Sequence, residues 1–157
     1  MKKQNKQSEP SFYVNFEKVY VRNIDSNISL LNFLRHNCKF TGTKEGCSEG
    51  DCGACSVLIF DEKGSLAPIN SCILKVGQIL DKNIVTIEGA SKLSSAKPLI
   101  QALNSKAASQ CGFCTPGFVM AALALKGKNK KPSESVIHDS LSGNLCRCTG
   151  YRPIVNG

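Results

Sequence analysis

An α+β chain is predicted, with its strands before Gly89 and its helices after it. Three observations lead there. Apolar residues alternate with period 2 in the first part and recur at helical spacing in the second. Eight of the nine cysteines fall into two sets of four, one set in each part: Cys47, Cys52, Cys55, Cys72 and Cys111, Cys114, Cys146, Cys148. With 41% apolar and 20% charged residues, the composition is that of a soluble globular protein. The longest apolar run, Phe118 to Leu125, falls far short of the ~20 residues of a membrane span.

Met1 to Ser11, polar and lysine-rich at its start, is expected to be a disordered tail. Phe12 to Phe16 and Val19 to Val21 alternate as a hairpin around Asn15-Phe16-Glu17-Lys18, which is a poor turn sequence. Ser29 to His36 reads as a short helix with Leu30, Leu31, Phe33 and Leu34 inward. Ser56 to Phe60 is a strand, Asp61-Glu62-Lys63-Gly64 a turn into a second hairpin arm, and Ile84 to Ile87 the last strand. This order fits a β-grasp domain over residues 12–90. Residues 91–97 are the connector. Pro98 then starts a helix through about Ala107, Pro116 another through Leu125, and Ser133 caps a third through Leu141. With a fourth helix beginning before Gly157, residues 98–157 form a small all-α four-helix bundle.

The first cysteine set reads Cys-x4-Cys-x2-Cys and then Cys72, and its opening spacing is the one plant-type ferredoxins use to hold a [2Fe–2S] cluster. Thiolates are the soft ligands that iron and sulfide demand. Gly46, Gly50 and Gly53 interleave with the ligands, where a tight wrap needs positive φ and close approach of backbone N–H groups to sulfur. The second set, Cys-x2-Cys and then Cys-x-Cys, matches neither a ferredoxin nor paired zinc knuckles, although structural zinc is a possible occupant. Disulfides need an oxidising compartment. Met1 to Pro10 has no apolar segment of a secretory signal, so a reducing, cytoplasmic location is expected.

Net charge is +8, and it is uneven: Ser91 to Gly157 carries nine basic and two acidic residues. No aromatic–basic alternation supports nucleic-acid binding, and two clusters at about −2 each would halve the excess. Lys126, Lys128, Lys130 and Lys131 read as a solvated loop. His36 and His138 lack ligand spacing, and Cys38 reads as a free thiol outside both sets. Arg147, between two ligand cysteines, brings a cation to the second cluster and favours its reduced state.

Three stretches carry a resemblance: Gly42-Thr43-Lys44-Glu45-Gly46-Cys47-Ser48-Glu49-Gly50-Asp51-Cys52-Gly53-Ala54-Cys55, then Gln110-Cys111-Gly112-Phe113-Cys114-Thr115-Pro116-Gly117, then Gly143-Asn144-Leu145-Cys146-Arg147-Cys148-Thr149-Gly150-Tyr151-Arg152-Pro153. Their wording and order resemble the iron–sulfur part of the molybdenum hydroxylases, the xanthine dehydrogenase/oxidase family. The first stretch looks most similar to bacterial xanthine dehydrogenase small subunits. Where this chain has Asn15-Phe16, relatives commonly carry Asn-Gly. The resemblance implies two [2Fe–2S] clusters that pass electrons from a molybdenum–pterin centre on a large subunit toward FAD and then NAD. It implies that Gln110 and Cys148 touch the pterin edge. It implies no catalytic residue on this chain, which is either a complete subunit or a piece preceding an FAD domain. Related aldehyde, carbon monoxide and N-heterocycle dehydrogenases share these motifs. A free-standing ferredoxin-like carrier and a zinc-stabilised interaction module are the readings from other classes.

Overall fold

The computed structural model describes residues 9–60, 64 and 66–157. β1 (Ser11–Val14) and β2 (Glu17–Tyr20) form the first hairpin, β3 (Ser56–Phe60) and β4 (Leu66–Asn70) the second, and β5 (Asn83–Val85) lies between them. The sheet order is β2-β1-β5-β3-β4, with β1 and β5 parallel and every other pair antiparallel. Pro68, which cannot donate to a ladder, sits on the edge strand β4. Asp61, Glu62 and Lys63 of the expected turn, and residues 1–8 of the expected tail, lie outside the described residues.

Alternation along the central strands separates two cores. Val57 and Ile84 point to one face with Phe12 and Val14, where they meet Leu30, Phe33, Leu34, Val76 and Ile79. The rings of Phe12 and Phe33 pack 5.4 Å apart, tilted by 54°. Leu58 and Val85, one residue further along, point to the other face, where they join Phe118, Val119, Met120 and Ala121. The second core therefore runs from the sheet into the helices. Its centre is α4 (Thr115–Lys128), buried on nearly every side because the sheet covers one flank and α3 (Lys97–Ser105) and α5 (Glu134–Leu141) cover others. That is why the longest apolar run of the sequence belongs to this helix.

The expected elements are present, with shifts that have local causes. Ser29 caps α1 (Leu30–Asn32) by accepting from the Asn32 N–H, and the helix then widens into a π-helical turn, Phe33–Asn37. The tail expected through Ser11 ends earlier, because Ser11 pairs with Tyr20 and its carbonyl accepts from the Asp81 N–H at 2.9 Å. The strand expected through Ile87 stops at Val85. There the Thr86 N–H turns to Asn15 Oδ1 at 2.8 Å, and α2 (Ile87–Ala90) begins. Pro98 lies in the first turn of α3, which ends at Ser105 rather than Ala107, where φ is +52°. α4 runs one turn beyond Leu125, and α6 (Arg152–Val155) is the short fourth helix. Among the described residues no helix is long and apolar enough to cross a membrane.

The unfavourable first turn is solved by Asn15. Both Asn15 and Phe16 take positive φ, +53° and +72°, as a two-residue hairpin turn demands. Asn15 tolerates this conformation, and its amide also donates to Thr86 Oγ1 at 3.0 Å. Phe16 is held by an edge contact to Phe60, with ring centroids 6.2 Å apart. Gly89 makes room, since a Cβ there would lie 2.1 Å from Asn15 Oδ1. Asn15→Ala should lower stability by about 2 kcal/mol in urea titration, through left-handed strain and the stranded Thr86 N–H.

Cys38 packs half-buried against the first core, apart from the other cysteines. Burial pushes its thiol up to about 11. Its alkylation, followed by peptide mass spectrometry, should be slow near neutrality and rise about tenfold per pH unit until that value, because only the thiolate reacts.

Candidate metal centres

The first site is a loop wound between α1 and β3. Positive φ at Ser48 (+60°), Gly50 (+84°) and Gly53 (+69°) turns the chain back on itself. The backbone N–H groups of Asp51 and Cys52 then reach Cys47 Sγ, each at 3.4 Å. These donors, with the Cys52 N–H foremost and Glu49 and Asp51 beside it, lower the Cys47 thiol to about 6. Gly46 leaves space, because a Cβ there would stand 2.8 Å from Cys52 Sγ. Cys72 arrives from the end of β4, where Asn70 donates to the Gly50 carbonyl at 2.5 Å and Ser71 Oγ to the Cys55 carbonyl at 2.7 Å. Burial and then the neighbouring Cys55 push the Cys72 thiol up to about 11.

Two anchors of this loop were not legible in the motif. Arg35 donates to the carbonyls of Thr41 (3.0 Å) and Thr43 (2.8 Å), and Glu88 Oε1 accepts from the Gly42 N–H at 2.7 Å. They tie the loop to the π-helical turn and to α2. No spacing rule links Gly42 to a residue 46 positions away.

The second site lies between two helix ends. Cys114 is the N-cap of α4 and Cys111 precedes it through Gly112, at φ +80°. The partial positive charge of a helix N-terminus favours an anion there. Cys146 and Cys148 come from the loop before α6, whose shape Tyr151 sets. At φ +68° Tyr151 turns the chain, packs edge-on against Phe118, and its hydroxyl accepts from the Cys146 N–H at 3.1 Å. Burial, followed by the thiol of Cys146, pushes Cys114 up to about 12. Burial also raises Cys146, but hydrogen bonds with Thr149, Cys114 and the Cys148 backbone together outweigh it and leave that thiol below its ordinary value. Cys148 is raised by sharing a hydrogen bond with Cys111.

The thiols meet in pairs. Cys47 interacts with Cys52 and Cys55 with Cys72; Cys111 interacts with Cys148 and Cys114 with Cys146. Among the described residues no three His, Cys, Asp or Glu side chains converge closely enough to ligate one ion. Two pairs facing each other suit a binuclear core, in which each iron takes one pair, better than a tetrahedral zinc. A cavity of about 260 Å³ opens among the four cysteines of the second set and reaches Gly46, Cys47 and Cys52 of the first. Arg147 lies on its rim, exposed, and Gln110, Cys111 and Cys148 are exposed on the same part of the chain. Cys38 joins neither set, and His36 and His138 are on the surface. Lys128, Lys130 and Lys131 are exposed, as is Lys126, which donates to the Ser95 carbonyl at 2.9 Å.

Residues 86–157 match the model of a [2Fe-2S] binding domain. The chain is 43% identical over 150 residues to a xanthine dehydrogenase of Emericella nidulans and 42% identical over 151 residues to aldehyde oxidase 1 of Rattus norvegicus, each match covering 92% of this chain. It spans 11% of the length of either relative. Among solved structures, quinoline 2-oxidoreductase from Pseudomonas putida 86 superposes with a TM-score of 0.78 at 35% identity, covering 94% of this chain and 88% of that one. Aldehyde oxidoreductase from Desulfovibrio gigas gives 0.81 at 32% identity, covering 95% of this chain and 16% of that one. With motifs, fold and relatives in agreement, the chain belongs to the molybdenum hydroxylase (xanthine dehydrogenase/oxidase) family, as its iron–sulfur part.

Proposed function

We propose that this chain holds two [2Fe–2S] clusters and relays single electrons between a molybdenum–pterin centre and FAD in a xanthine dehydrogenase-like enzyme. The observation that carries it is the pairing of eight thiols, two pairs in each cysteine set. Cys47, Cys52, Cys55 and Cys72 would hold one cluster, in a β-grasp domain of residues 12–90. Cys111, Cys114, Cys146 and Cys148 would hold the other, in a helical domain of residues 98–157, with 91–97 as connector. Each bound cluster supplies a carrier of one electron.

The chain's own groups tune these sites. The N–H groups of Asp51 and Cys52 stabilise charge on the Cys47 sulfur, and Gly46 keeps the space beside Cys52 open. Burial of Cys55 and Ala54 excludes water from the inner side. At the second site the N-terminus of α4 and the Arg147 guanidinium favour added negative charge. The exposed Gln110 and Cys148 offer an edge to the pterin of a molybdenum-binding partner, and an FAD-binding domain or subunit completes the path. Purine oxidation in the cytoplasm is the activity this reading assigns to the whole enzyme. The near-equal similarity to an aldehyde oxidase supports a second reading, in which the partner oxidises aldehydes or N-heterocycles. Turnover of hypoxanthine against an aromatic aldehyde by the co-purified assembly separates the two.

Protein purified without oxygen should be brown, with about four irons and four acid-labile sulfides per chain and two distinct EPR signals on reduction. A colourless protein with two zincs overturns the proposal. Arg147→Ala should lower the midpoint of the second cluster alone by several tens of millivolts, since removing a cation near the site destabilises the reduced form. Potentiometric EPR titration reads both clusters, so the first serves as internal control.

A further inference from the structure

The second cysteine loop ends in a turn of a rare kind. Tyr151 has φ +68° and ψ −36°, and across it the Arg152 N–H donates to the Gly150 carbonyl at 2.8 Å. A hydrogen bond between residues two apart, closed around a positive φ, is the strained form of the γ-turn, and a bulky aromatic residue is an unfavourable choice for its centre. Two contacts keep Tyr151 in place. Its hydroxyl accepts from the Cys146 N–H at 3.1 Å, and its ring stands edge-on to Phe118 with centroids 6.4 Å apart. Strain of this kind persists only where the surroundings hold it, and it concentrates at functional sites.

The strained turn fixes the direction of one N–H. That of Tyr151 donates to Thr149 Oγ1 at 3.2 Å, and the same oxygen lies 3.1 Å from Cys146 Sγ. Between a thiol and a hydroxyl either group can donate, but a thiolate bound to iron has no hydrogen to give, and an N–H can only donate. The Thr149 oxygen therefore accepts from Tyr151, and its single hydrogen is directed to the sulfur. This hydroxyl stands closer to its sulfur than the N–H groups of Asp51 and Cys52 stand to Cys47, at 3.4 Å each. Thr149 and Cys146 are both half-buried, so water screens the bond less than it would at an open surface.

We infer that the Thr149 hydroxyl donates to the Cys146 sulfur and raises the reduction potential of the second iron–sulfur centre, with Tyr151 as the residue that orients it. The inference rests on the proposed function, which supplies the centre. Reduction adds one electron, and part of the added charge falls on the ligand sulfurs. A donor held against one of them stabilises the reduced form more than the oxidised form. The hydroxyl keeps its hydrogen throughout, so no proton moves with the electron. Arg147 acts from the rim of the cavity through its charge, which salt screens, whereas Thr149 acts through one short hydrogen bond to one sulfur.

The test uses the full chain loaded with iron and sulfide. Potentiometric EPR titration reads both midpoints, and ENDOR before and after transfer to deuterium oxide reads the exchangeable hydrogens coupled to the second centre. Thr149→Val deletes the hydroxyl at constant shape, Thr149→Ala deletes it without a second methyl beside the sulfur, and Thr149→Ser keeps it. Each deletion should remove one exchangeable coupling and shift the reduction equilibrium of the second centre roughly tenfold toward the oxidised form, a midpoint about 59 mV lower for one electron. The first midpoint should stay, Thr149→Ser should keep the coupling and both midpoints, and the shift should persist in high salt. Replacing Tyr151 by its α-hydroxy acid deletes only its N–H and should weaken the same coupling. A coupling or a midpoint that both deletions leave unchanged overturns the donation. Loss of iron from both deletions while Thr149→Ser loads fully makes Thr149 a structural residue and overturns the tuning role; undiminished coupling in the ester variant overturns the orienting role of Tyr151. If the unmodified chain takes up iron at the first set alone or at none, the iron count shows it before any variant is made, and the proposed function falls together with the inference.

Discussion

Three donors converge on the carbonyl of Gly53, and both parts of the chain are fitted around them. Ser56 supplies two, its N–H at 3.1 Å and its hydroxyl at 2.7 Å, and Asn144 supplies the third. A carbonyl oxygen has two lone pairs, so a third donor marks a position where close approach dictates the geometry. Side chains are excluded from this point on both sides, at Gly53 and at Gly117. Gly53 lies between Cys52 and Cys55, and Gly117 lies in the first turn of the helix that Cys114 caps. Any widening here would move members of both cysteine sets at once.

The packing behind this point explains why the helical part does not stand off from the sheet. Up to Leu125, α4 has no polar face to offer solvent, because Leu58 and Val85 of the sheet and the flanking helices cover it. Burying one helix between two layers spreads the apolar contact of two small units into one continuous core. Units of this size gain only about 3–5 kcal/mol from apolar burial on their own. The sharing of α4 supplies part of what each lacks.

Electrostatics point the same way. The excess of basic residues after Ser91 faces solvent through the lysines at the end of α4, while the anionic thiolates are met by backbone N–H groups, a helix N-terminus and Arg147. Positive charge on the surface and oriented dipoles inside are separate devices. The first is solvated, and the second sets the charge state of sulfur.

The amino-acid sequence by itself determined the two cysteine sets, the order of strands and helices, the inward faces of α1 and the family. These are short-range properties: chelate spacing, the period of apolar residues, and proline or serine at helix starts act over a few residues and survive without knowledge of the fold. It did not determine where β5 ends, how Asn15-Phe16 makes a turn, or that Arg35, Glu88, Tyr151 and Asn144 shape the sites. Those outcomes depend on which backbone groups remain unpaired once the elements have packed. Asn15 finds Thr86 across 71 positions, Glu88 finds Gly42 across 46, and Asn144 finds Gly53 across 91. A buried N–H or carbonyl must be paired with whatever the tertiary structure brings beside it, and no periodicity in the chain records which residue that is.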